Sequence, residues 1–331
     1  MDQTRRAALG AATALAARAA WPAPAAAEGF PTRTITWVVP GGPGSVLDIA
    51  ARLIATKLAA PLGQSVVVDN RLGAGGTAAA EVAARAAPDG HTLFFGNFAT
   101  FAIAPLLIPN LRYDAQRDFL PVQGIGASAN VAVSGMGRPW RSIGELIGYA
   151  RANPGKVTYA ASIGSGQHAA AALFAETAKL DLTHIPYNQF GQVLNDLAAE
   201  RVDLCFDYPL SSLPFVRDGR LRALAVNAGE RLAIAPEIPT LAEAGLPGAD
   251  LLGWSGVYVP ARTPAAVVAR LAGTFRDALR EPDVVALFDN TGTIRWDRVD
   301  GAGLARALEE EIPRMRHLIG RTLPPAGPKP G

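Results

Sequence analysis

The chain has one cysteine, Cys205, so it cannot form a disulfide within itself. Flanked by Leu204 and Phe206 in an apolar run, that thiol reads as a small buried hydrophobe rather than a reactive group. There are four histidines, His91, His168, His184 and His317, and they share no metal-ligand spacing. A catalytic zinc is therefore not expected, and neither a metal nor another cofactor is implied. Beyond the N-terminal region no apolar run approaches the ~18 residues needed to cross a bilayer. Neither sign of charge is in excess: past residue 27 the chain carries 28 Lys and Arg against 28 Asp and Glu. That balance removes the electrostatic case for a nucleic-acid partner. No internal repeat is visible.

What is present begins with an export signal. Met1 to Ala27 has Arg5 and Arg6, an apolar stretch from Ala7 to Ala17, and then Pro22-Ala23-Pro24-Ala25-Ala26-Ala27, with small residues where a signal peptidase cuts. Thr4-Arg5-Arg6-Ala7-Ala8-Leu9 and the mild, alanine-rich core fit a twin-arginine signal, with a general secretory signal as the alternative. No cysteine lies at the cleavage region, so a lipoprotein anchor is not expected. The expected product is a soluble periplasmic protein. Its roughly 300 residues exceed what one core usually holds, which points to two domains.

Strands alternate with helical patterns. Segments 35–39, 65–68, 92–96, 131–134, 157–161, 202–206 and 221–226 read as short buried strands. Segments 48–60, 77–87, 142–152, 168–179 and 192–200 carry helical periodicity. This alternation implies an α/β fold with mainly parallel sheets flanked by helices, whose ligands bind at the carboxyl ends of the strands. The C-terminal part is more helical. Thr263-Pro264 reads as an N-cap followed by proline at the first helical position, and a last helix over 303–319 carries Glu309, Glu310 and Glu311 on an expected solvated face.

Two strand-to-helix turns, in different halves of the chain, are built from Gly and Ser without Lys or Arg. The first is Pro40-Gly41-Gly42-Pro43-Gly44-Ser45; the second is Ser162-Ile163-Gly164-Ser165-Gly166-Gln167. Such turns aim free backbone N–H groups and the positive end of a helix at one spot, which suits a carboxylate or a phosphate. Phosphate fingerprints are missing: no Lys follows either turn as in a P-loop, and Leu47 stands where a dinucleotide fingerprint needs its third Gly. A hydrolase elbow, Gly-x-Ser-x-Gly, lacks its first Gly around Ser165.

The segments ITWVVPGGPGSVLD (35–48), VVVDNRLGAGGTAAAE (66–81), APDGHTLFFGNFAT (87–100), Tyr159 to His168, Ile185-Pro186-Tyr187, Asp196 to Asp207, LRALAV (221–226) and IPTLAEAGLP (238–247) carry a resemblance across nearly the whole mature length. In order and spacing the chain resembles the solute receptors of tripartite tricarboxylate transporters, the Bug-type extracytoplasmic receptors. The resemblance implies a two-lobed periplasmic binding protein fold of type II, with 28–127 plus 253–331 as one lobe and 128–252 as the other. It further implies a small carboxylate captured by hinge closure, a membrane permease or a sensor protein as partner, a monomer, and no chemistry performed.

Candidate contacts follow. Gly44 and Ser45 offer a backbone donor and a hydroxyl. Asp48, three residues after Ser45, either completes a capping box or meets the ligand. Ser162, Gly164, Ser165 and Gly166 repeat the pattern, as ligand contacts or as a tight turn. His168, at a family position, donates to a carboxylate or is packed locally. Gly96, Asn97 and Thr100 follow a strand end. Tyr187 and Asp207 match family positions near the cleft, the former as a hydroxyl donor and the latter ordering a water or a neighbouring N–H.

The chain departs from the family pattern at Val46 and Leu47, at Asn188-Gln189-Phe190, at Phe101 and Ala104, and in a second loop shorter by one residue. These changes imply a more apolar pocket and a ligand with an apolar body, aromatic or aliphatic, rather than citrate. The alternative kept is a periplasmic hydrolase using Ser165 and His168.

Overall fold

The computed structural model describes residues 29–73, 76–108, 110–187 and 192–322. The expected signal segment, Asn188-Gln189-Phe190 and the tail from Pro324 lie outside the described residues. The chain opens with strand β1 (Ile35–Val39), helix α1 (Val46–Leu62), β2 (Val66–Asn70), α2 (Thr77–Ala84) and β3 (Thr92–Asn97). A π-helical turn, Ala99–Ile103, then runs into α3 (Ala104–Leu107) and β4 (Phe119–Ser128). A second series follows: β5 (Val131–Gly135), α4 (Ile143–Ala152), β6 (Thr158–Ala161), α5 (Gly166–Ala178), β7 (Thr183–Pro186), α6 (Val193–Ala198), β8 (Leu204–Asp207), α7 (Pro209–Arg217) and β9 (Leu221–Val226). The chain then returns through β10 (Gly253–Pro260), α8 (Ala265–Ala278), α9 (Pro282–Thr291), β11 (Thr293–Arg295) and α10 (Gly301–Thr322).

Local sequence explains these elements. In α1 the buried positions Ala50, Ala51, Ile54, Ala55, Leu58 and Leu62 recur every three or four residues, and Gly63, at φ 70°, ends the helix in the left-handed region. In α8 the buried positions are Val267, Leu271, Phe275 and Ala278. Thr263 does not cap that helix: Pro264 occupies the capping position, and the Thr263 hydroxyl donates to the Pro260 carbonyl instead.

Among the described residues the strands form two sheets, in the orders β11-β4-β10-β3-β1-β2 and β7-β6-β8-β5-β9. Most strands share one direction, as the β-α alternation implies, yet both sheets are mixed, because β10 and β11 in the first and β5 in the second run against their neighbours. The reason lies in the crossings. β5 and β10 are the first strands after the chain passes from one sheet to the other, so each enters its new sheet from the ligand-binding edge and runs back from it.

The outward crossing is Ala129-Asn130, and the return leads from Asn227 to Gly253. The two are clipped together: the Asn130 N–H donates to the Asn227 side-chain oxygen at 2.5 Å, and the Asn227 N–H donates to the Asn130 carbonyl at 3.0 Å.

Apolar packing covers both faces of each sheet. One cluster joins the first sheet to α1 and α8, through Trp37, Ile54, Leu58, Leu271 and Phe275. Another joins the second sheet to α6 and α7, through Leu197, Cys205 and Leu213. The largest cluster is shared by both sheets and includes Phe94, Ala127, Ala132, Phe174 and Phe206. Leu304, Leu308, Met315 and Leu318 of α10 belong to that shared cluster. At its far end α10 reaches the second sheet's helices, where His317 Nε2 lies 2.8 Å from Glu176 Oε1. Of the three glutamates expected on a solvated face, Glu309 and Glu310 are exposed, while Glu311 is half-buried beside Arg314.

Gly96 shows how tightly the aromatic centre of the first sheet is packed. A Cβ there would lie 2.5 Å from the Tyr258 ring and 2.6 Å from the Phe101 ring. Those two rings stand edge to face with centroids 4.5 Å apart. Gly96→Ala is therefore expected to lower unfolding free energy by about 1 to 3 kcal/mol through overpacking. Urea unfolding of the variant checks this, and an unchanged midpoint would contradict the packing described.

Candidate functional site

A cavity of about 370 Å³ lies between the two sheets, where the chain leaves β1, β3 and β8. The first sheet contributes Ser45, Val46 and Leu47 from the start of α1, and Asn97, Phe98 and Ala99 from the entry to the π-helical turn. The second contributes Gly166 from the start of α5, and Tyr208 to Ser211 from the start of α7. Ser128, Gly253, Trp254, Ser255, Thr291 and Thr293 complete the wall, from β4, β10, β11 and the end of α9. None of these residues carries a charge.

The donors that face this space are mainly backbone. In any α-helix the first N–H groups have no intrahelical acceptor, so Val46 and Leu47 in α1, Gly166 and Gln167 in α5, and Leu210 in α7 present free donors at helix starts. Three helix dipoles therefore point their positive ends toward one uncharged cavity. Side chains add to them. The Asn97 side-chain oxygen accepts from the Thr100 N–H at 2.9 Å, which leaves the amide NH2 for the cavity. The Tyr208 hydroxyl makes no hydrogen bond among the described residues and would lie 3.3 Å from a Cβ placed on Gly166.

The two glycine-serine turns are held by one device used twice. Ser45 caps α1 by accepting from the Asp48 N–H, and the Asp48 carboxylate reaches back to the Gly44 N–H at 2.8 Å. Ser165 caps α5 by accepting from the His168 N–H, and His168 Nδ1 reaches back to the Gly164 N–H at 3.4 Å. Gly44 and Gly164 stand at φ 79° and 75°, so each loop needs a residue that tolerates the left-handed region just before its cap. Gly164 also packs on the other lobe: a Cβ there would collide with Leu107 of α3.

The buried groups behind the turns have displaced pKa values. The Arg52 hydrogen bond, with those from Gly44 and Asn70, holds the Asp48 carboxyl at about 2 against the cost of burial. Burial, with His184 beside it, pushes His168 down to about 4. Its ring stacks on His184 with centroids 4.6 Å apart, and its Nε2 is buried with no hydrogen-bond partner among the described residues. Burial raises Asp207 to about 6, opposed by hydrogen bonds from Ser211, the Tyr208 N–H and Gln167. Tyr208 is 36% exposed as a residue, yet desolvation in its surroundings, with Asp207 nearby, pushes its pKa up to about 12.

Of the residues singled out in the sequence, Ser45, Asn97 and Gly166 line the cavity. Gly44, Asp48, Gly164, Ser165 and His168 form the turns just behind it. Asp207 is buried between α5 and α7 through its bonds to Gln167 and Ser211. Thr100 is fully buried and hydrogen-bonded to Asn97. Ser162 donates to the Tyr187 carbonyl at 2.6 Å, while the Tyr187 hydroxyl donates to Asp196 at 2.8 Å. Among the departures, Val46 and Leu47 do line the cavity, but Phe101 is packed in the core against Phe119 and Tyr258.

Tyr208, Leu210, Ser211, Trp254, Thr291 and Thr293 were not anticipated. Asp207-Tyr208-Pro209 did hold a signal, a strand end followed by proline at a first helical position. Nothing local marks Trp254 or Thr293.

Among the described residues no group of three or more His, Cys, Asp and Glu is arranged to hold a metal ion, and no helix is long and apolar enough to cross a membrane. A Ser165–His168 hydrolase finds no support in this geometry. The imidazole faces Gly164 and His184, and the Ser165 oxygen bonds the His168 backbone.

A two-lobed fold with an uncharged cleft ringed by helix starts defines a solute receptor. Residues 50–322 match the family of tripartite tricarboxylate transporter receptors, and the chain belongs to it. It is 39% identical over 294 residues to the UPF0065 protein in the tcbD-tcbE intergenic region of Pseudomonas sp. (strain P51), covering 88% of this chain and 87% of that one. It is similar to MatC from Rhodopseudomonas palustris with bound malate, at 34% identity and a TM-score of 0.73, over 88% of this chain and 100% of that one. It is also similar to a second R. palustris protein with adipate, at 34% identity and a TM-score of 0.76, over 88% and 98%.

The displaced pKa values give opposite pH dependences. In the unfolded chain His168 protonates near 6.5, but in the fold only near 4, so its contribution to stability is lost as pH falls through that window. Unfolded Asp207 ionises near 3.8, but folded only near 6, so its contribution is lost as pH rises through that window. Each is worth about 3 kcal/mol, and between pH 4 and 6 they offset. Asp207→Asn should make melting temperature rise with pH across that range, and His168→Gln should make it fall. Slopes of the same sign in both variants would refute the assignment.

Proposed function

We propose that this protein is a periplasmic receptor that captures a small carboxylate with an apolar body between two lobes, residues 28–127 with 253–331 and residues 128–252. It acts as an exported monomer, performs no chemistry, and passes the ligand to a membrane permease or a sensor. The observation that carries this reading is the convergence of three helix starts on a cavity with no charged side chain. Free N–H groups and neutral hydroxyls satisfy a carboxylate, whereas Val46, Leu47, Phe98, Leu210 and Trp254 favour an apolar body. The malate and adipate held by the two R. palustris relatives lend support to the carboxylate part. The leader-like segment 1–27 supports export.

The energetics are within reach of neutral donors. A receptor working at micromolar ligand requires about −8 kcal/mol. Hydrogen bonds to a charged acceptor, at about 1.5 to 3 kcal/mol each, provide much of this before association and closure costs are subtracted.

Val46→Pro removes one backbone donor while keeping an apolar side chain at that wall. Proline is suited to a first helical position, and the extended Ser45 (φ −69°, ψ 160°) suits the residue before it. A thermal-shift screen against citrate, malate, aliphatic monoacids and aromatic acids should yield a shift of several degrees with an apolar acid at saturating concentration. Affinity for that acid should fall about tenfold or more in Val46→Pro, and by a smaller factor in Ser45→Ala. The reading fails if citrate or malate outranks every apolar acid, or if Val46→Pro folds and binds as before.

A further inference from the structure

Most of the hydroxyls that line the cavity are already engaged within the protein. Ser211 donates to the Asp207 carboxylate, Ser255 to the Gly126 carbonyl at 3.1 Å, and Thr291 to the Leu287 carbonyl at 2.9 Å. Ser128 and Tyr208 make no side-chain hydrogen bond among the described residues. The backbone of Tyr208 is the opposite case. Its N–H donates to the Asp207 carboxylate, and its carbonyl accepts from the Ser211 and Ser212 N–H groups, both at 3.1 Å. Pro209, the next residue, packs on Gly292 at the end of α9, where a Cβ would lie 3.2 Å from the proline ring. The phenol is thus carried on a fixed backbone with its oxygen left over.

Two glycines keep the space around that oxygen clear. Gly166, first in α5, and Gly253, first in β10, both have φ values that any residue adopts, so neither is required by its own backbone. Alanine would favour the helix, and glycine weakens a strand. What a Cβ would meet is the phenol. The Tyr208 oxygen would lie 3.3 Å from a Cβ on Gly166, with no other heavy atom beyond the glycine's own helix and neighbours within 4 Å. It would lie 3.7 Å from a Cβ on Gly253, where the Ser128 carbonyl oxygen is the one other neighbour. The two missing side chains leave a niche beside the hydroxyl, open to the cavity that all three residues line. Gly166 and Gln167, at the start of α5, have N–H groups without intrahelical acceptors at the same place. Desolvation, with Asp207 nearby, keeps the phenol protonated, so it is a neutral donor and brings no charge into the cavity.

From these observations we propose that Tyr208 is the principal side-chain contact of the ligand carboxylate: its hydroxyl donates to one carboxylate oxygen in the niche between Gly166 and Gly253, and the N–H groups at the start of α5 donate to the other. This inference rests on the carboxylate-receptor reading and names the side chain that serves it. A carboxylate has about four lone-pair sites, so it still accepts from the start of α1, the contact that Val46→Pro removes. Because the hydroxyl has no partner within the protein, it contributes nothing to the ligand-free fold, and its whole effect is felt on binding.

The test is calorimetric titration of the mature chain, Tyr208→Phe and Gly166→Ala with benzoate, hexanoate, adipate and malate, together with melting temperatures of the ligand-free proteins. Tyr208→Phe keeps the ring and loses only the hydroxyl. Its affinity for the acid that the unsubstituted chain binds most tightly should fall about tenfold or more, with the ligand-free melting temperature unchanged to within about a degree. Gly166→Ala retains the N–H and fills the niche, so its affinity for that acid should fall by a similar factor. The inference is overturned if Tyr208→Phe binds that acid as the unsubstituted chain does. It is overturned equally if the ligand-free melting temperature of Tyr208→Phe drops by several degrees, since the hydroxyl would then serve the fold, or if Gly166→Ala folds and binds unchanged. Absence of saturable binding of all four acids to the unsubstituted chain would instead bring down the carboxylate reading, and this inference with it.

Discussion

A helix start leaves donors without acceptors, and this protein places three such starts around one cavity. Holding them there requires the preceding turns to stay in a conformation that most residues avoid, at Gly44 and Gly164. The side chains of Asp48 and His168 do the holding from behind, each taking the N–H of that glycine. The two solutions differ in charge and agree in geometry. Asp48 remains ionised because Arg52 and Asn70 surround it, and His168 remains neutral because it is buried against His184. In both turns the ionisable group is spent on the loop rather than shown to the cavity, so the cavity wall stays uncharged.

The mixed sheets follow from the same demand for two walls. A single β-α series places helix starts on one side only. Two series joined by Ala129-Asn130 and by the return to β10 place them on opposing sides, and the strands at the crossings become part of the wall. Ser128, Gly253, Trp254 and Ser255 line the cavity because they stand at the two crossings. Asn130 and Asn227, bonded to each other's backbone, keep those crossings together.

Much of this was legible in the sequence. Strands β1 and β9 begin and end where their apolar runs do, and the start of α1 was marked by Ser45 and Asp48. What could not be read there was the fate of individual donors. The Ser-x-x-Asp spacing allowed Asp48 to cap or to bind, and only the Gly44 distance shows the cap. Phe101, a departure from the family pattern, was expected to make the pocket more apolar, but the π-helical turn places it in the core against Tyr258. Trp254 and Thr293 reach the cavity through strand register with β4, a long-range pairing that no local pattern encodes. Strands β4, β7, β10 and β11 went unread for a related reason. Several carry glycine, proline or charge where a free-standing strand would be apolar, and their partners supply the stability that their own residues lack.

The largest apolar cluster takes in side chains from both sheets and from α10, so neither half owns a complete core. Melting one half of a molecule built in this way would expose the part of that cluster that belongs to the other. Its lobes are distinct in shape, yet the shared cluster is expected to make them unfold together, so that a ligand held in the cleft would raise the melting point of the whole chain.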